Sequence, residues 1–363
     1  MNKKLFITFL ILFIITKCFT QNELTDKQSF SILAGFLQET VTDTVLINGI
    51  TYEILLKNGN KVIQKTSKKT GTCFFVYRNL DVYLITAEHV ARNCSFNTLL
   101  AINTSDNKPY VTKLIDIAKD KNKLDWNFHP HADVAVLYLG IGKNLDRLPL
   151  IPIEMILSEF RAPKRETQLT VFGFPLSLGI GKEISAISKT SQPSSQFIET
   201  NRFDNGKLST FYLLDDQSVS GFSGGPVINL LPEIGGVKFD LDKNPDINKV
   251  VGLVHGSIDD KKSGGGFAAI VPSKYIVETI ESSERFNGVY KFKYENEKIW
   301  SEVKYKNGNP FTVISNFKQS GRLQEKGTLK NGNGTRYIYD EKGRLISIIH
   351  YQNGRIVKTE KKE

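Results

Sequence analysis

The run Ser220-Gly221-Phe222-Ser223-Gly224-Gly225-Pro226-Val227 places a serine two residues after one glycine and directly before two more, ahead of an apolar stretch. Glycines there let the backbone fold so that two N–H groups, those of Gly221 and Ser223, point at one spot. An oxyanion formed when the Ser223 hydroxyl attacks a carbonyl would be stabilised by such a pair. Many Gly/Ser turns share this pattern, so the run does not decide the chemistry by itself. Two other segments do. Tyr83-Leu84-Ile85-Thr86-Ala87-Glu88-His89-Val90 is an apolar strand running into a histidine, and His131-Ala132-Asp133-Val134-Ala135-Val136-Leu137 is an aspartate opening another. A general base, a carboxylate that fixes its tautomer and a nucleophile are the parts of a catalytic triad. Here they follow in the order His89, Asp133, Ser223, with gaps of 44 and 90 residues.

That order and spacing resemble the chymotrypsin-type (trypsin-like) serine endopeptidases, through Thr86-Ala87-Glu88-His89, Asp133-Val134-Ala135-Val136 and Gly221-Phe222-Ser223-Gly224-Gly225-Pro226. Further pieces resemble the same family. Thr170-Val171-Phe172-Gly173-Phe174-Pro175 is similar to the Gly-x-Pro corner of bacterial members. Val250-Val251-Gly252-Leu253-Val254-His255-Gly256 is similar to the strand beside the substrate backbone. Gly265-Gly266-Phe267-Ala268-Ala269-Ile270-Val271-Pro272 is similar to the last barrel strand. From Ser273 to about Ser283 the pattern is that of a short closing helix. The resemblance implies an all-β fold of two six-stranded-type β-barrels over residues 45–285. It implies catalysis by His89, Asp133 and Ser223, with the Gly221 and Ser223 N–H groups as oxyanion hole. It also implies substrate contacts by Gln217, Ser218, His255 and Gly256, and a disulfide between Cys73 and Cys94 bracketing the histidine loop. No metal or organic cofactor is implied.

Residues 1–20 combine Lys3-Lys4, an apolar run from Leu5 to Ile15 and a polar end before Gln21, the make-up of a secretory signal peptide. Cys18 raises a lipoprotein alternative, which Lys17 before it suits poorly. Export to the periplasm or the medium leaves Cys73 and Cys94 as an even pair in an oxidising compartment. Residues 21–44 carry Phe30, Leu33, Phe36 and Leu37 at near-helical spacing, which predicts a short N-terminal helix. Residues 45–138 read instead as short β-rich runs, for example Ile50 to Leu56, the Asn58-Gly59 turn and Lys61-Val62-Ile63. The formal net charge of +10 is spread over scattered lysines with no dense basic tract, so nucleic acid is not expected as a partner.

From about Phe286 a new pattern begins. Tyr305-Lys306-Asn307-Gly308, Leu329-Lys330-Asn331-Gly332 and Tyr351-Gln352-Asn353-Gly354 recur, interleaved with Gln319-Ser320-Gly321-Arg322-Leu323 and Glu341-Lys342-Gly343-Arg344-Leu345. Asn-Gly between aromatic or β-branched runs is a hairpin signal, and the near-constant period predicts stacked hairpins over residues 286–363. The segment resembles MORN-variant repeats, which implies binding or spacing against an envelope or surface partner.

Phe222 stands where animal digestive members have an aspartate that pairs with a newly cut N-terminus, so activation by that route is not implied. Gln217 stands where trypsin-type pockets carry a carboxylate, which disfavours basic side chains before the cleaved bond. His255 falls in the strand beside the pocket with its register open by one residue: facing the pocket it would suit acidic ones, and otherwise it is a rim or packed histidine. The function expected is an exported serine endopeptidase acting on protein or peptide substrates. The alternative is a catalytically lapsed protease-fold binding module or envelope adaptor working through its repeats.

Overall fold

The computed structural model describes residues 30, 33–39, 44–47, 50–57, 60–65, 69–141, 147–230, 245–259 and 265–362, with only the backbone course given for 44–65. The expected signal peptide, Cys18 and the Asn58-Gly59 turn lie outside the described residues. The fold is all-β, as the sequence pattern predicts. The span read as an N-terminal helix is corrected by strand β1 (Ala34–Gln38), although Phe30 is helical. Four of the five residues of β1 are buried. A short run buried on both faces gives no period that separates strand from helix, and pairing with neighbours decides it.

After β1 come β2 (Thr44–Ile47), β3 (Ile50–Lys57) and β4 (Asn60–Lys65), which form a three-stranded antiparallel sheet of their own rather than part of a barrel. The chain then returns in β5 (Thr70–Arg78), which pairs directly with β1. There follow β6 (Asp81–Thr86), helix α1 (Glu88–Ala91), β7 (Leu99–Asn103), β8 (Pro109–Lys113) and helix α2 (Leu114–Ile117). Strands β9 (Trp126–Phe128), β10 (Ala135–Gly140) and β11 (Leu150–Pro152) complete the sheet. Its order is β8-β7-β1-β5-β6-β10-β9, with β11 alongside β5. The central strands β5 and β6 are buried almost throughout, as their uninterrupted apolar sequences require.

The second sheet is built from β12 (Leu169–Gly173), β13 (Ile187–Ser191), β14 (Ile198–Asn201), β15 (Leu208–Leu214), β16 (Pro226–Asn229), β17 (Lys249–Asp259) and β18 (Gly266–Pro272). Its order is β13-β12-β16-β17-β18-β15-β14. The sheets therefore hold eight and seven strands where six apiece were expected, the additions being short strands such as β9 and β11. Helix α3 (Ser273–Ser282) closes this unit and buries Ile276 and Ile280.

Beyond it, β19 (Gly288–Lys293), β20 (Ile299–Lys306), β21 (Asn309–Phe317) and β22 (Leu323–Gln324) make one antiparallel sheet. Strands β23 (Gly334–Tyr339), β24 (Leu345–Gln352) and β25 (Arg355–Lys361) make another. Both residues of each Asn-Gly pair have positive φ: 50° and 72° at Asn307-Gly308, 52° and 81° at Asn331-Gly332, 52° and 75° at Asn353-Gly354. Two successive left-handed residues are what a tight turn matching strand twist demands. The two sheets share one core of Phe292, Val303, Tyr305, Val313, Leu329, Ile338, Ile349 and Tyr351, so each hairpin depends on its neighbours.

These hairpins are docked on the β5–β6 turn. Leu80 packs against their core, and the Asn79 amide donates to Gly308 O at 2.9 Å. Asp81, fully buried, accepts at Oδ1 from the Phe286 N–H and the Tyr138 hydroxyl, each at 2.8 Å. Burial pushes the Asp81 carboxyl above its ordinary value, although both hydrogen bonds oppose that. Asp81→Ala is expected to cost about 1–3 kcal/mol by leaving two buried donors unmatched. Thermal unfolding would measure it, with faster proteolytic clipping between Ser283 and Phe286 as a second sign that the dock has loosened.

Candidate active site

Strand register brings the first two residues together. Ala135 of β10 pairs with Thr86 of β6, so the chain leaving β6 and the chain entering β10 meet at one edge of the sheet. His89 lies in α1 just past that edge and Asp133 just before it. His89 Nδ1 stands 2.7 Å from Asp133 Oδ2, and the His89 backbone N–H donates to Oδ1 at 3.0 Å. With Nδ1–H donating to the carboxylate, the neutral ring keeps Nε2 as its free acceptor.

Ser223 comes from the second sheet, between β15 and β16. Its backbone carbonyl accepts the Thr72 N–H of β5 at 2.8 Å, which ties it to the first sheet. Its hydroxyl donates to the backbone carbonyl of His255 at 3.0 Å. His89, Ser223, Gly221, Ser220, Ser218, Gly256 and Ser257 all line one groove of about 400 Å³.

The glycine loop is held by a set of backbone hydrogen bonds. Val219 O accepts from Phe222 N at 3.1 Å, and Gly221 has φ +106°. A Cβ on Gly221 would lie 2.3 Å from Phe174 O, so glycine is required there by both backbone angle and space. The Ser220 carbonyl accepts the Leu176 N–H at 2.8 Å, and the Phe222 carbonyl accepts Gly225 N–H at 2.8 Å. Because C=O and N–H point opposite ways across a trans peptide, the N–H groups of Gly221 and Ser223 are turned away from those anchors. Thr72 braces the turn: its hydroxyl donates to Gly221 O at 2.6 Å and accepts from Phe174 N at 3.1 Å. The arrangement can bind a negatively charged oxygen.

His255 does not line the pocket, which corrects the sequence expectation. Its ring is 2% exposed and lies 4.2 Å from the Phe203 ring and 4.9 Å from Phe211. Its Nδ1 is 2.5 Å from Asp133 Oδ2, and its Nε2 accepts the Phe203 N–H at 3.4 Å. The pairing of β17 with β18 shifts between Val254 and Gly256, so His255 is the extra residue of a bulge and regular alternation does not fix its direction; the sequence alone left that register open. Ser218 and Gly256 do line the groove, whereas Gln217 lines a second, small cavity that shares Ser218 with it. The expected Cys73–Cys94 disulfide is also corrected, for both are free thiols. Cys94 Sγ donates to Val90 O at 3.5 Å, while Cys73 Sγ lies against Gly35 on the sheet's interior. Burial pushes the Cys94 thiol up to about 12 and Cys73 well above its usual range.

Sequence reasoning missed Arg202. From the β14–β15 turn its Nη2 donates to Asp133 Oδ1 at 2.9 Å, its Nη1 to Glu88 Oε2 at 2.7 Å, and it also pairs with Asp204. Arg202 is 3% exposed and Asp133 fully buried. Burial alone would raise the Asp133 carboxyl, but hydrogen bonds from His255 and His89 hold it far below the usual range. Burial likewise works against the Arg202 charge, and Asp204, Asp133 and Glu88 more than offset it. Glu88 is visible beside His89 in the sequence, but a turn arginine 69 residues from Asp133 carries no local signal. His89, Asp133 and His255 also put three metal-capable groups within 4.8 Å of one another. Both imidazoles bond the carboxylate directly, so these donors satisfy each other.

Residues 71–237 match the family model described as Trypsin-like peptidase domain, a span that holds His89, Asp133 and Ser223. The match supports a trypsin-like serine protease. A search among curated proteins gave no match. Solved structures similar to this chain include an inactive mutant form of Rv3671c from M. tuberculosis, at 14% identity over 69% of this chain and 85% of that one, TM-score 0.38. Another is the HtrA-type protease AlgW with tripeptide, at 15% identity over 91% of this chain and 92% of that one, TM-score 0.38.

Arg202→Met is expected to lose about 3–5 kcal/mol, because it strands the buried Asp133 and Glu88 carboxylates without their cation. Chemical denaturation would show this as a lower midpoint. A second expectation concerns acid. Since Asp133 titrates lower in the folded than in the unfolded chain, its stabilising contribution is complete above about pH 4 and is lost as the pH falls further. Acid unfolding followed by circular dichroism should therefore be shallower for Asp133→Asn than for the natural protein.

Proposed function

We propose that the protein is an exported serine endopeptidase. In this reading His89 Nε2 takes the Ser223 proton, Asp133 holds the ring's tautomer and stabilises the imidazolium, and Ser223 Oγ forms the acyl-enzyme. The Gly221 and Ser223 N–H groups bind the oxyanion. The observation that carries it is convergence: Ser223, the carboxylate-oriented imidazole of His89 and the glycine loop at Gly221 border a single groove. For attack, the Ser223 hydroxyl must leave His255 O and rotate about χ1 toward the His89 ring. Such contacts commonly tighten only once substrate is bound.

Support for export is the make-up of residues 1–20. Among the described residues no helix is long and apolar enough to cross a membrane. The C-terminal hairpins are assigned to the MORN-variant class on their Asn-Gly period, and their role is to hold an envelope or surface partner.

Labelling with a fluorophosphonate probe tests the reading. The natural protein should react and Ser223→Ala should not; equal labelling would favour a lapsed, binding-only module. Asp133→Asn should lower turnover of a peptide ester by roughly 10⁴, the loss seen in the family's template enzyme when the imidazole takes the wrong tautomer.

A further inference from the structure

Resting on the endopeptidase reading, we infer that the groove accepts only glycine, alanine or serine immediately before the cleaved bond. The carbonyl attacked by Ser223 must place its oxygen by the Gly221 and Ser223 N–H groups. The side chain next to that carbonyl then enters the slot between residues 218–220 on one side and Gly256-Ser257 on the other, all of which border the groove beside Ser223. That slot is bridged. The Ser257 hydroxyl donates across it to the Ser218 backbone carbonyl at 2.6 Å.

Ser218, the acceptor of that bridge, also lines a second cavity of only about 10 Å³, together with Gln217, Phe222, Lys189 and Asp216 among others. That is room for about one water, not for a branched or aromatic side chain. Its floor is occupied as well. Lys189 Nζ donates to Gln217 O at 2.7 Å and stands 3.7 Å from Asp216, so each charge there already has an opposite. Gln217 Nε2 sits 2.7 Å from where a Cβ on Gly266 would lie, which packs that wall tightly. A long cation or anion entering the slot would have to break the serine bridge and displace an ion pair. A methyl or hydroxymethyl group needs to do neither.

The test profiles a peptide library, varied at the residue before the cleaved bond, with the full chain and with Ser257→Gly. Alanine, glycine and serine should exceed leucine, phenylalanine, lysine and glutamate by about tenfold or more in kcat/KM, the scale on which a closed pocket discriminates. In Ser257→Gly, which removes the bridge, the leucine-to-alanine ratio should rise by about tenfold. Ser257→Ala, which removes only the hydroxyl, should shift the ratio in the same direction and covers the case in which the glycine variant does not fold. A natural profile led by leucine, phenylalanine, lysine or glutamate overturns the inference, as does a ratio unmoved in both variants. Fluorophosphonate labelling of Ser223 separates the two levels. Labelling with cleavage after large residues sinks the small-residue slot alone, whereas no labelling and no cleavage sinks the endopeptidase reading with it.

Discussion

One carboxylate ties the two halves of this protein together. Asp133, with no exposed surface, accepts four hydrogen bonds: from the His89 N–H and Arg202 on Oδ1, and from the His89 and His255 rings on Oδ2. Two of these donors belong to the first sheet and two to the second. A buried charge is costly unless it is paired and hydrogen-bonded, so the sheets must meet in the one orientation that supplies all four. Arg202 passes the constraint on to Glu88, the neighbour of His89, and that carboxylate also holds Arg92 at 2.8 Å. Positioning of the imidazole and mutual orientation of the sheets are thus one energetic problem with one solution.

Thr72 makes a second crossing of the same boundary. Its N–H holds the Ser223 carbonyl and its hydroxyl the Gly221 carbonyl, while that hydroxyl is itself held by the Phe174 N–H, so the backbone on both sides of Phe222 is tied to the first sheet. The close approach this needs is possible only because Gly221 and Gly224 lack side chains; a Cβ on Gly224 would fall 2.1 Å from Thr72 O. The opposite end of β5 carries the turn on which the C-terminal hairpins sit, through Asn79, Leu80 and Asp81. A single strand pair therefore runs from the hairpin dock to the residues that brace the active site. The C-terminal hairpins are built onto the two-sheet unit rather than trailing from it.

Phe203 illustrates how one turn serves several ends. The loop that places Arg202 on Asp133 also lays the Phe203 ring 5.1 Å from His89 and 4.2 Å from His255. It lies so close over Gly256 that a Cβ there would fall 2.4 Å from its ring. Phe203 is 58% exposed, an apolar wall at the open side of the groove. The order of the loop is set by the ion pairs beneath it, so the shape of the groove and the charge balance at Asp133 are coupled.

The chain by itself determined the all-β class, the order His89, Asp133, Ser223, the glycine loop and the Asn-Gly hairpins, because each is written in residues close in sequence. Alternation, turn chemistry and a glycine's freedom are local properties, and they hold wherever the segment ends up. What the chain left open was set by partners far away in sequence. Residues 34–38 became a strand because β5 and β7 flank them. His255 turned to Asp133 at a bulge in the β17–β18 pairing, Cys73 and Cys94 remained free thiols, and Arg202 reached across 69 residues to a buried carboxylate. Those outcomes depend on which groups must be desolvated together, and only the packed tertiary structure specifies that.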